Sequence, residues 1–168
     1  MTAEEKTAEV DPAANQAASQ FLLDKIYIKD LSFEAPLGVE SFTRKWKPTV
    51  NQDVSTRINA MEGDRYEVVL TVTAALKDKD SDKTIYLVEV QQAGIFLVRG
   101  VEQEKLPQLL NTQCPNLLFP YAREVVDNTV VKGGFPPLNL PPINFDALFF
   151  HAVKQAKENA QKEQQTKH

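Results

Sequence analysis

The sequence predicts an α+β domain, an antiparallel sheet followed by two helices on one of its faces. Three observations carry this. From residue 21 to residue 99, apolar and polar side chains alternate in four runs separated by short polar turns, the period-2 pattern of strands. Beyond Gly100 the apolar spacing changes to three and four, that of helices. Two proline pairs, Pro136-Pro137 and Pro141-Pro142, then separate one helical stretch from the next.

In "FLLDKIYIKDLSFEAP", Tyr27, Lys29, Leu31 and Phe33 share one side and Ile26, Ile28 and Asp30 the other; Pro36-Leu37-Gly38 ends the strand. A loop carrying Phe42 and Trp46 leads to "PTVNQDVSTRINAME", where Val50, Val54 and Ile58 mark a buried face opposite a polar one. The turn "MEGD" introduces "RYEVVLTVTAALKD", and the charged loop "KDKDSDK" introduces "TIYLVEVQQAGIFLVRG". Such short connections make an antiparallel meander. The last strand is apolar on both sides, with Ile85 and Leu87 facing one way and Tyr86, Val88 and Val90 the other. One helical layer covers only one face, so a second subunit is expected over the remaining one.

"EQEKLPQLLNTQ" starts a long helix, "CPN" interrupts it near Pro115, and "NLLFPYAREVVDNTVVKGG" continues it. Leu118, Ala122, Val125 and Thr129 form its stripe, and Leu117, Tyr121, Val126 and Val130 widen it; Pro120 suits a helix start and Gly133 the C′ position. Asn144 is placed to cap the last helix, "FDALFFHAVKQAKENA". Residues 1–20 are polar and alanine-rich and are expected to be a disordered arm. Residues 21–156 form one domain, and the polar tail 157–168 is expected to fray.

Composition narrows the function classes. With 42% hydrophobic and 25% charged residues the chain reads as a soluble globular protein. A net charge of −4 disfavours nucleic acid and anionic membranes as partners. No apolar run reaches the ~18 residues that insertion into a membrane needs, and residues 1–20 lack the core of a signal peptide. A single cysteine, Cys114, fits a reducing cytoplasm. Two histidines, His151 and His168, and one cysteine do not make a metal site. There is no phosphate-binding loop, no dinucleotide fingerprint, and none of the five serines lies in a nucleophile elbow. The expectation is a binding protein without cofactor or catalytic residues.

"GGFPPLNLPPINF", residues 133–145, is apolar yet cannot enter a ladder or a helix, because its prolines lack the N–H and fix φ. Two readings stand. The segment is a linker wedged between sheet and helices in a structural oligomer, or it is the stiff wall of a groove that receives apolar segments of other chains. Phe33, Phe42 and Trp46 are candidates for the facing wall.

"KDLSFEAP", "YEVVLTVTA", "LVEVQQAGIF", "CPNLLFPYARE" and "GGFPPLNLPPINFDALF" resemble, in order over residues 21–153, the protein-export chaperone family SecB. The resemblance implies a dimer of dimers that holds unfolded preproteins in the bacterial cytoplasm and hands them to the motor ATPase SecA. It implies a client groove involving Phe33, Phe42, Trp46, Tyr121, Phe135, Leu138, Leu140 and Ile143. It also implies SecA contacts at Asp30, Glu34, Leu87 and Glu89, and subunit contacts at Tyr86, Val88, Val90 and Gln92. The tail departs from an acidic pattern, with Lys154, Lys157, Lys162 and Lys167 against Glu158 and Glu163.

Overall fold

A computed structural model describes residues 19–165, so the expected N-terminal arm lies almost wholly outside the described residues. The elements are β1 (Gln20–Glu34), α1 (Glu40–Thr43), β2 (Pro48–Ala60), β3 (Arg65–Asp78), β4 (Thr84–Arg99), α2 (Leu106–Lys132) and α3 (Phe145–Gln165). The four strands form one antiparallel sheet in the order β1-β4-β3-β2. Only β2, β3 and β4 are a meander. β1 returns beside β4, so residues 35–47 must cross from one edge of the sheet to the other.

β1 does not keep a single alternation. Its register against β4 shifts between Leu23 and Lys25 and again between Ile28 and Asp30. Each extra residue moves the following side chains to the opposite face. Residues on the helix side therefore run Phe21, Leu23, then Ile26, Ile28, then Leu31, Phe33, opposite Val98, Phe96, Gly94, Gln92, Val90 and Val88. Tyr27 and Phe33, expected on one face, lie on opposite faces, and Asp30 parts from Ile26 and Ile28.

α2 is one continuous helix of 27 residues, with Pro115 and Pro120 inside it; the expected interruption is absent. A proline in a helix interior costs about 3 kcal/mol through its lost N–H and its clash with the preceding turn. Burial of each large apolar side chain contributes about 1.5–3 kcal/mol. α2 buries Leu110, Leu118, Phe119, Val126 and Val130, together with Cys114 and Ala122, so packing outweighs both prolines. Leu117 and Tyr121, expected to widen the buried stripe, are exposed.

The core lies between α2 and β3–β4 and includes Val68, Leu70, Val72, Tyr86, Val88 and Val90. The residues expected at a subunit contact on the last strand are part of this core. Tyr86, Val88, Val90 and Gln92 are at most 2% exposed within the single chain. The Gln92 Nε2 donates to the Tyr27 carbonyl at the second bulge of β1. The face left open carries Leu87, Glu89, Gln91, Ile95 and Leu97.

α3 starts as expected, with the Ala147 N–H donating to Asn144 Oδ1 at 2.9 Å. Phe145 packs edge-on against Phe119, with centroids 6.1 Å apart, while Leu148 and Phe150 stay exposed. The helix continues to Gln165 through residues expected to fray. No helix among the described residues is long and apolar enough to cross a membrane.

Candidate functional site

The end of α2 is built by two glycines with different tasks. The Gly134 N–H donates to the Val131 carbonyl and the Phe135 N–H to the Val130 carbonyl, closing a Schellman motif. The left-handed residue that this motif needs is Gly134, with φ +88°, not Gly133 as expected. Gly133 instead keeps helical φ and lies so close to the Phe33 ring that a Cβ would collide with it. The first glycine admits β1's last aromatic under the helix end, and the second turns the chain.

That turn delivers Phe135 to the centre of an aromatic cluster. Its ring centroid is 4.7 Å from Tyr86, 5.1 Å from Phe42 and 6.3 Å from Phe33. The crossing segment supplies Phe42 from α1, and the Trp46 Nε1 donates to the Ser41 carbonyl at 2.9 Å, which folds the segment on itself. Phe42 is 57% exposed, Phe33 and Trp46 are half-buried, and Phe135 is buried. Three of the expected groove residues thus meet in one cluster with a wet edge.

Beyond Phe135, Leu140 is 2% exposed, whereas Leu138 and Ile143 are half-buried along α2. Phe135 and Leu140, expected in the groove lining, are buried and join the core of the single chain. Leu138, Ile143 and Phe42 keep accessible surface. Tyr121 is 51% exposed on the outer side of α2, away from the aromatic cluster.

A cleft of about 510 Å³ opens between α2 and the second proline pair, lined by Phe119, Pro120, Arg123, Asp127, Pro142 and Ile143 among others. Of these, only Pro142 and Ile143 belong to the wall expected from the sequence. The Asp127 Oδ1 accepts the Leu138 and Asn139 N–H groups, both at 3.0 Å. A carboxylate inside the apolar run "VVDNTVV" was the available signal for Asp127, though its partners follow only once the segment folds back.

The opposite side of the sheet gathers the expected docking residues. Directly paired residues of antiparallel strands share a face. Glu34 pairs with Leu87, Ser32 with Glu89 and Asp30 with Gln91, while Thr73 lies between Glu89 and Asp53. Asp30, Glu34, Leu87 and Glu89 therefore lie together on the open face, joined there by Asp53. The second β1 bulge places Asp30 there. The Thr73 Oγ1 donates to Glu89 Oε2 at 2.9 Å. None of Asp30, Glu34, Asp53 and Glu89 has an ion-pair partner among the described residues.

The other end of that face is neutralised. Glu67 accepts the Tyr27 hydroxyl, Lys29 Nζ at 2.7 Å and Asn59 Nδ2 at 2.6 Å, linking β1, β2 and β3. Lys29, then Tyr27 and Asn59, hold its carboxyl down to about 2, and the bond to Glu67 pushes the Tyr27 phenol up to about 12. Elsewhere, burial pushes the Cys114 thiol up to about 12, far from a nucleophile's range, and His151 is exposed on α3. Among the described residues no three His, Cys, Asp or Glu side chains gather as a metal site.

Comparison with known proteins places this geometry. The family model described as "SecB: Preprotein translocase subunit SecB" matches residues 14–156. A protein-export protein SecB of Cellvibrio japonicus is 48% identical over 152 residues, 89% of this chain and 90% of that protein. One from Marinobacter nauticus is 47% identical over 155 residues, 90% and 93% of the two chains. A Mycobacterium tuberculosis SecB-like chaperone, solved in complex with a peptide from an antitoxin, superposes with a TM-score of 0.60 at 15% identity. It covers 74% of this chain and 91% of its own, a likeness of fold. With its sheet order, its long α2 and a match over most of its length, this chain belongs to the SecB family.

Proposed function

We propose that the protein is a nucleotide-independent chaperone of protein export. It binds unfolded preproteins on the apolar wall around Phe42, Leu138 and Ile143, and it passes them to the motor ATPase SecA docked on the acidic sheet face. The observation that carries this reading is the separation of the two surfaces. The aromatic cluster and proline segment lie on the helix side, and four carboxylates without ion-pair partners among the described residues lie across the sheet.

The backbone of the wall suits this role. Between Phe135 and Pro142 only Phe135, Leu138, Asn139 and Leu140 possess an N–H, and three of those four are donated to α2. A bound chain therefore cannot pair with the segment as a strand and meets it through apolar area, which asks little of client sequence. Each large apolar side chain that a client buries contributes about 1.5–3 kcal/mol before ordering costs. Several weak anchors on one long client bind well together while each still releases easily. Holding the unfolded form shifts its folding equilibrium by mass action, so no catalytic group is needed.

Assembly as a dimer of dimers in the cytoplasm completes the proposal. With Tyr86, Val88 and Val90 under α2, copies would meet through apolar groups that stay exposed, such as Ile28 and Leu31 at the β1 edge and Leu117 and Val131 on α2. The burial of Phe135 and Leu140 favours the other reading, internal packing, for those two residues. Titration of the purified protein with a slow-folding preprotein, without nucleotide, decides between them. Binding that arrests client folding supports the chaperone; absence of binding leaves a structural oligomer.

A further inference from the structure

We infer that Asp127 is the positioning residue of the apolar wall: one carboxylate oxygen on α2 fixes the course of the proline segment and thereby the presentation of Leu138 and Ile143. The inference rests on the client-binding reading above and adds to it a residue that contacts no client.

The segment is tied at both ends and in the middle. At its start Phe135 is held by the Schellman bond and the aromatic cluster. At its end Asn144 caps α3. Between them the prolines Pro136, Pro137, Pro141 and Pro142 offer no donors, and each is exposed. The polar anchor of the middle is Asp127, whose Oδ1 accepts both the Leu138 and the Asn139 N–H. Two N–H groups on successive residues converge on one acceptor only when the chain turns sharply there. Asn139 makes that turn in the left-handed region, at φ +50°, which asparagine tolerates better than most residues.

The turn sends Leu140 inward, where it is buried, and leaves Leu138 before it and Ile143 after it half-buried along α2. Asp127 also lines the cleft that Pro142 and Ile143 close from the other side. Without the acceptor, the half-buried Leu138 N–H and the exposed Asn139 N–H lose their partner and the left-handed turn loses its support. The prolines keep each half stiff, so the expected failure is a pivoting of the wall about Asn139, not its melting.

The test uses the full-length protein, Asp127→Ala and Asp127→Asn. Asparagine keeps a carbonyl oxygen at the position of Oδ1, and alanine removes it. Three measurements are made: affinity for an unfolded slow-folding preprotein, thermal unfolding, and hydrogen exchange at the Leu138 and Asn139 amides. The expected result is that Asp127→Ala loses protection at both amides and binds client about fivefold or more weakly, with its main unfolding transition nearly unmoved. Asp127→Asn should restore both protection and affinity. Normal client binding by Asp127→Ala overturns the inference, as does an equal loss in both variants or a loss that follows the unfolding temperature. If the unaltered protein binds no unfolded chain, the chaperone reading fails by itself. The exchange arm then still decides whether Asp127 fixes the segment, and unchanged protection in Asp127→Ala refutes it.

Discussion

The aromatic wall and the acidic face stand on opposite sides of one sheet and are built in opposite ways. On the helix side, apolar side chains are presented by irregular chain: a four-residue helix carrying Phe42, a proline segment carrying Leu138 and Ile143, and a helix end shaped by two glycines. On the other side, Asp30, Glu34, Asp53 and Glu89 project from long paired strands whose register fixes their spacing. A loop-mounted apolar surface suits many unrelated sequences, because area and shape matter there more than direction. Charges on paired strands suit one partner, because complementarity depends on fixed positions. In the proposed reading, a division between promiscuous capture and specific docking follows from this choice of backbone.

The change that should remove both regions together is Val90→Asp. Val90 is fully buried beneath α2, paired with Val72 on one side and Leu31 on the other. An unpaired carboxylate there costs several kcal/mol, on the order of the whole stability of a small domain. Circular dichroism with urea should report loss of the folded chain. A folded dimer of normal stability would mean that Val90 faces a second copy and that the placement of α2 is wrong.

The next effect separates the two faces. Asp30→Lys combined with Glu89→Lys cancels the net negative charge of the acidic patch, two lysines then standing against Glu34 and Asp53, while leaving the helix side untouched. SecA affinity, read by calorimetry, is expected to fall by more than roughly tenfold, with a steep salt dependence in the unaltered pair. Client binding should be unchanged. Equal loss of both activities would refute the separation.

A smaller pair of effects tests the division within the proline segment. Leu140→Ser replaces a buried side chain and should lower stability by about 1–3 kcal/mol, with binding per folded molecule preserved. Phe42→Ser replaces a ring that is 57% exposed and should do the reverse, weakening client binding severalfold with little change in the unfolding midpoint. If both variants lose stability and neither loses binding, the cluster is packing alone.

Much of this was legible in the sequence, and the misses share a cause. The four strands, the Asn144 cap and the apolar, unpairable character of residues 133–145 all follow from local patterns. What failed depended on distant partners. Pro115 looks like a helix break until the sheet beneath α2 outweighs it. Tyr86, Val88 and Val90 look like an exposed second face in the sequence, yet they are buried within the single chain. The β1 bulges could have been read: Phe21, Leu23, Ile26, Ile28, Leu31 and Phe33 are spaced two, three, two, three and two apart, the trace of a strand that skips one residue twice. Asp127 stood out as a carboxylate in an apolar run, but its role was unreadable, because its two partners are eleven and twelve residues away across a turn no local rule specifies.

The smallest expected effect concerns Glu67, which neutralises the end of the open face away from Asp30 and Glu34. Its carboxyl is held at about 2 in the folded chain, against an ordinary value of 4.5, so between these pH values the unfolded chain binds the extra proton. The stabilisation it gives is complete above about pH 4.5 and is lost as pH falls toward 2. Tyr27, pushed up to about 12 from 10, contributes on the alkaline side: its share is present below pH 10 and lost as pH rises toward 12. Glu67→Gln keeps an acceptor for Tyr27 and Asn59 but removes the charge that Lys29 faces. The variant should therefore be modestly less stable than the unaltered protein at pH 7, and the two urea midpoints should converge as pH approaches 2. In an alkaline absorbance titration, one phenol fewer should ionise near pH 12, leaving Tyr86, which burial keeps there. SecA and client affinities at pH 7 should be unmoved, since the cluster lies at the far end of the open face from Asp30, Glu34 and Glu89 and across the sheet from the apolar wall. A stability gap that stays constant from pH 7 to pH 2 would show that Glu67 acts through shape and not through its charge.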